Sequence, residues 1–165
     1  MTLLWIGVGI VIGAGLRSIV KRRPGGTGDA LTGVPTRGTG QQAIDSLRPG
    51  DAVAIIDLDG LKLTNDTHGH AAGDKELIAL ARHLSEGVRQ EDTVARWGGD
   101  EFVMVLRGGG AAASAVVDRL RADSPTGFSA GIAVHSGGPG ADTLAAADAA
   151  LLRAKRAGGS QVATA

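Results

Sequence analysis

The chain has 165 residues, room for one domain and a short appendage. Lys plus Arg and Asp plus Glu stand at 17 each, so the formal net charge is zero and the basic excess of a DNA- or RNA-binding protein is missing. Cysteine is absent, which excludes disulfides and thiolate metal sites and fits the cytosol, and aromatics reach only 2%, so Leu, Val, Ile and Ala must build the core.

The first element is apolar. Leu3 to Leu16 carries no charge, and the run continues to Val20 with only Arg17 interrupting it. These 18 positions are long enough for a membrane-spanning helix, which needs roughly 17 to 25. The basic cluster Lys21-Arg22-Arg23 follows the run, whereas a secretory signal carries its charge before it. The reading is one transmembrane helix over 1–20 in the inner membrane, with everything from Lys21 onward cytoplasmic. A cleaved signal and a buried helix are the alternatives. Gly9 and Gly13 have the Gly-x-x-x-Gly spacing that lets two membrane helices approach, a spacing that also arises by chance in a chain with 27 glycines.

A flexible linker over 21–28, rich in Pro and Gly, precedes a single domain over 29–165. Asp29 to Arg37 reads as a turn, and Gln41 to Leu47 as a short helix ended by Arg48-Pro49-Gly50. Asp51 to Asp59 reads as a buried strand ending in carboxylates, and ligands in α/β folds sit at the carboxyl ends of strands. Asp57 and Asp59 share a face if the strand persists.

Gly60-Leu61-Lys62 follows, then the polar run Asn65 to Asp74. Asp74 suits a helix N-cap, and the helix after it carries Leu77, Leu80, Ala81, Leu84 and Val88 on one stripe. His68 and His70 lack a third ligand nearby, so His70 reads as structural. Arg89-Gln90-Glu91-Asp92 ends that helix.

Two β-prone runs, Thr93 to Trp97 and Phe102 to Leu106, flank Gly98 and Gly99, the pattern of a tight hairpin. Asp100 and Glu101 follow the turn. Acidic side chains at a buried hairpin tip are unfavourable unless a cation meets them, and magnesium suits carboxylate oxygens. Pairing of neighbouring strands would bring Asp57 and Asp100 together. Ala111 to Ala122 is a helix candidate, Phe128 to Val134 a late strand, and Asp142 to Arg156 a final helix.

Set in order, these pieces resemble the GGDEF family, the diguanylate cyclases. Gly98-Gly99-Asp100-Glu101-Phe102 is similar to its signature. Asp29 to Arg37 is similar to its D-x-L-T-G-x-P-x-R opening, with Thr36 where Asn is usual. Asn65 to Asp74 matches N-D-x-x-G-H-x-x-G-D. Phe128 to Val134 resembles its S-x-G-x-A strand, and Ala147 to Lys155 its A-D-x-A-L-Y-x-A-K helix with Leu152 for Tyr. The resemblance runs from Asp29 to about Val162.

It implies an α/β (α+β) fold, a ferredoxin-like nucleotidyl-cyclase palm with a mixed central sheet flanked by helices. It implies condensation of two GTP into cyclic di-GMP plus two pyrophosphates across a homodimer. Two Mg2+ per site, or Mn2+, would lie on Asp57, the Leu58 carbonyl, Asp100 and Glu101. Asp100, Glu101 and Lys62 would be catalytic. Asn65 and Asp74 would read guanine, while Gly60, Leu61, Gly98, Gly99 and Lys155 would hold the rest of the nucleotide. Arg89 and Asp92 would form an inhibitory R-x-x-D site for the product.

Two departures stand out. Asp123 to Gly127 is short, so a peripheral hairpin is expected to be trimmed. Gly158-Gly159-Ser160 replaces the usual G-R-N, which removes a phosphate-binding Arg at Gly159; losing such a donor weakens binding by roughly 1.5–3 kcal/mol. The alternative is therefore a catalytically weak, membrane-tethered receptor for cyclic di-GMP or GTP.

Overall fold

The computed structural model describes residues 28–165. The membrane helix expected over 1–20 and nearly all of the linker lie outside the described residues. Among the described residues no helix is long and apolar enough to cross a membrane.

Five strands form one sheet in the order β2-β3-β1-β4-β5. At its centre, β1 (Ala52–Leu58) pairs antiparallel with β3 (Glu101–Leu106) and with β4 (Phe128–Val134). β2 (Thr93–Gly98) pairs antiparallel with β3, and β5 (Val162–Thr164) runs parallel to β4. The sheet is mixed and carries helices on both faces, as expected.

Alternation along the strands divides the core. Ala52, Ala54, Ile56 and Leu58, with Phe102, Met104 and Phe128, pack against α3 (His70–Glu86) and α4 (Ala113–Ala122) through Leu77, Leu80, Leu84, Val117 and Leu120. Val53, Ile55, Val103 and Val105 face the other way, onto Ile44 of α1 (Arg37–Asp45) and Ala147 and Leu151 of α5 (Gly140–Arg156). Asp57 continues this second row at the strand end, so it emerges on the α5 side. Gly131 of β4 permits the close packing of α5. A Cβ there would collide with the backbone at Ala147 and Leu151.

Several elements differ from the sequence expectation. α1 starts at Arg37, earlier than predicted, and includes Gly38 and Gly40. Gly40 lies against Ala95 and the Trp97 ring, and the Arg37 guanidinium sits 4.7 Å from that ring's centroid, so contact with β2 holds the turn. α2 (Leu61–His68) was not anticipated; it has no buried residue and is tied to α3 where Thr64 donates to Glu76 at 3.3 Å. α3 begins at His70, so Asp74 is not its cap, and it ends at Glu86, before Arg89. The final helix starts two residues earlier than predicted, and a 3-10 turn at Gly110–Ala112 precedes α4. Only the short link 123–127 joins α4 to β4, so the trimmed hairpin is seen.

Candidate active site

The β2–β3 turn is tighter than predicted. Both strands gain a residue, leaving Gly99 and Asp100 as the loop, with Gly99 at φ 53 and a bulge beside Trp97. Glu101 thereby becomes the first residue of β3 and the register partner of Asp57. Register partners share a face, so two carboxylates meet at one strand end. The Leu58 N–H donates to the Asp100 carbonyl at 3.2 Å and fastens the turn to β1.

From the covering helix, Lys155 places Nζ 2.6 Å from Asp57 Oδ2. Asp57 is 6% exposed. Burial above all raises its proton affinity, and Asp100 and Asp59 add to the rise while Lys155 opposes it. Glu101 is raised too, first by burial and then by Asp57, Asp100 and Asp148, again against Lys155. One lysine therefore leaves the carboxylate pair undercompensated. That donor chemistry fits a hard divalent cation with oxygen ligands. Among the described residues no three His, Asp or Glu side chains are gathered tightly enough to hold a metal alone. Backbone carbonyl, phosphate and water oxygens would have to complete the shell.

Beside the pair opens a cleft of about 400 Å³. Asp57, Leu58, Asp100 and Lys155 line it, with Gly60, Leu61 and Lys62 on one side and Gly158 and Gly159 on another. The cleft thus gathers Asp57, Leu58 and Asp100 of the predicted metal residues with Gly60, Leu61, Lys62 and Lys155, while Glu101 is the register partner of Asp57 and not part of its lining. Gly98 and Gly99 lie outside this cleft, each exposed with open space where a side chain would be. Another cavity, about 350 Å³, lies among Ile132, Val134, Thr143 and Thr164 at the other end of β4 and contains none of the predicted site residues.

Asn65 and Asp74 sit on the α2–α3 pair that starts at the cleft's edge. Asn65 Oδ1 is buried against Gly73 without a hydrogen-bond partner, while Asp74 is exposed. His68 and His70 are exposed at the helix junction and belong to no metal-binding group among the described residues.

Arg89 and Asp92 are not brought to this cleft. They form the turn before β2, at the far end of the hairpin, about 17 Å away by strand rise. Asp92 accepts from the Arg89 N–H at 2.9 Å and the Arg107 N–H at 2.8 Å, and Arg89 is exposed.

Arg96 escaped the sequence reading. Its Nη2 and Nε donate to the Gly99 carbonyl at 2.8 and 3.1 Å, and its Nη1 to Asp29 Oδ1 at 3.0 Å. Its place just before Trp97-Gly98-Gly99 was the available signal. Burial works to raise the Asp29 carboxyl, but hydrogen bonds from Thr32 and Arg96 hold it below its usual range.

A mixed sheet flanked by helices, with a carboxylate pair at its central strand end and a lysine reaching over from the covering helix, places the domain in the α/β palm class. The chain belongs to the GGDEF family: residues 27–161 match the profile described as diguanylate cyclase, GGDEF domain. It is 45% identical over 92 residues to an uncharacterized 19.3 kDa protein of Streptomyces ambofaciens, covering 54% of this chain and 50% of that one. It is 37% identical over 151 residues to the diguanylate cyclase DgcP of Pseudomonas aeruginosa, covering 79% of this chain but 22% of the relative. The chain thus spans half or less of these relatives' lengths. The GGDEF domain of DgcB from Caulobacter crescentus, solved in complex with c-di-GMP, superposes with a TM-score of 0.75 at 25% identity, covering 87% of this chain and 98% of that one.

Proposed function

We propose that the protein is a diguanylate cyclase, joining two GTP into cyclic di-GMP and two pyrophosphates. The observation that carries this reading is the register pair of buried Asp57 and half-buried Glu101, with Asp57 and its partner Lys155 in the wall of the cleft. In each of two steps a 3′-oxygen of one GTP forms a bond to the α-phosphorus of the other, and the bond to the β-phosphate breaks. One cleft per chain accommodates one nucleotide, so a homodimer presents the two substrates face to face.

Asp57, Glu101 and the Leu58 carbonyl are the groups to hold Mg2+ or Mn2+, with Asp100 nearby. Such ions, when bound, polarise the α-phosphate and lower the pKa of the attacking hydroxyl. The amides at Gly60 and Leu61 and the charges of Lys62 and Lys155 bind phosphates. Asn65 and Asp74 accept from the guanine edge. Arg89 and Asp92 take part in product inhibition. Residues 1–20 anchor the chain in the inner membrane, supported by the uncharged run Leu3 to Leu16 and the basic cluster behind it.

Incubation with GTP and magnesium, followed by nucleotide chromatography, tests the reading. Cyclic di-GMP and pyrophosphate should form, and neither should form with Glu101→Gln. The second reading, a dinucleotide or GTP receptor, is favoured by Gly159 standing in the cleft wall without a cationic side chain. Absence of product together with tight dinucleotide binding would select it.

A further inference from the structure

Asp59 lies two residues beyond Asp57, yet other groups already engage its carboxylate. Oδ1 accepts from Ser129 Oγ at 2.7 Å. Oδ2 accepts from both the N–H and the hydroxyl of Ser160, each at 2.9 Å. The Ser160 N–H is shared with Ser129 Oγ, also at 2.9 Å. On its other side, the Ser160 carbonyl accepts from Arg121 at 3.1 Å. Ser160 is the one non-glycine residue at positive φ among the described residues, with φ 50. Such a conformation persists only where surrounding contacts fix it.

Gly158 and Gly159 precede Ser160, line the cleft and also have positive φ. Their N–H groups donate to the Lys155 and Ala154 carbonyls at 3.1 Å each. The segment 158–160 is thus a strap, continuous with the last turn of α5, that is pinned to β1 and β4 through Asp59 and Ser129.

We infer that Asp59 is a positioning residue acting through Ser160: it fixes the 158–160 strap as a wall of the nucleotide cleft and, with it, the helix end from which Lys155 reaches Asp57. Three donors already engage its two oxygens, which commits Asp59 to the strap although it also borders the cleft. The kinetic consequence rests on the cyclase reading; the strap does not.

The test has two arms on the full chain. Ala at position 59 removes every acceptor that Ser129 and Ser160 use. In Asp59→Ala, amide exchange over 157–161 should accelerate about tenfold or more. KM for GTP should rise about tenfold with kcat within about threefold, and the Mg2+ concentration for half-maximal rate should stay in place. Ser160→Gly retains the backbone donor and should raise KM less than about threefold. Unchanged exchange in Asp59→Ala overturns the inference, as does a shifted Mg2+ requirement with exchange unchanged, which makes Asp59 a metal ligand. If the wild type forms no product, the cyclase reading falls while exchange still decides the strap. Should Asp59→Ala not fold, Ser129→Ala must speed the same exchange, and no acceleration overturns the inference.

Discussion

Lys155 Nζ and Asp57 Oδ2 lie 2.6 Å apart, joining the last turn of the final helix to the end of the central strand. Lys155 is the cation that opposes the rise in proton affinity of both Asp57 and Glu101. Its charge therefore works against burial and favours the ionised carboxylates.

Lys155→Met is expected to lower kcat/KM for GTP about 10- to 100-fold, the loss of one charged contact of roughly 1.5–3 kcal/mol. Without the ammonium both carboxylates hold their protons to higher pH. The acid limb of the pH–rate profile should move toward alkaline pH, and an unmoved limb would count against this role.

Glu101→Gln removes one of two repelling carboxylates and should abolish turnover while stabilising the metal-free fold. Groups whose proton affinity rises on folding contribute stability at low pH that is lost as pH rises through the folded pKa. The gain in Tm, about 2–4 °C for roughly 1 kcal/mol, should therefore appear near pH 7.5 and shrink as the medium is acidified. Thermal melts across that range, without added metal, check it.

Arg96→Lys keeps the charge but loses the fork that grips Gly99 and Asp29 together. A stability loss of about 1–2 kcal/mol is expected, with a larger fall in turnover than in nucleotide binding because the Gly99–Asp100 turn is loosened. Asp29→Asn should be destabilising at neutral pH, and its deficit should vanish as pH falls through the depressed folded pKa.

Gly131→Ala drives a methyl group into the backbone of α5 at Ala147 and Leu151. Overpacking typically costs about 1–3 kcal/mol, and rigid backbone on the receiving side puts this variant at the upper end or beyond. Urea unfolding measures it.

Gly159→Arg restores a cationic side chain to the cleft wall at φ 73. Left-handed backbone costs a non-glycine residue roughly 1–2 kcal/mol, so Tm should fall. KM for GTP should fall as well, about tenfold if the guanidinium reaches a phosphate.

How far the sequence foretold this molecule depends on the range of the forces involved. β4 matches its predicted limits, and β1 lies one residue inside each predicted end, because apolar runs there end in polar or glycine residues. Strand pairing alone put Asp100 opposite Asp57; Glu101 takes that place because the hairpin turn is tighter than the Gly-Gly pattern implies. α1 begins four residues before the expected Gln41 because Gly40 is where the helix rests on β2, a contact that no local pattern carries. α2 buries no residue and so carries no apolar stripe, and β5 has only three residues. Arg96 and Ser160 stayed hidden because their partners Asp29 and Asp59 are 67 and 101 residues away.

The undercompensated acidic pair makes this strand end one of the least comfortable parts of the domain. Any nucleotide–cation complex that settles there favours the native ensemble by mass action. Resistance to proteolysis should therefore climb with the supply of that complex, so the lifetime of the protein would follow the concentration of what it binds.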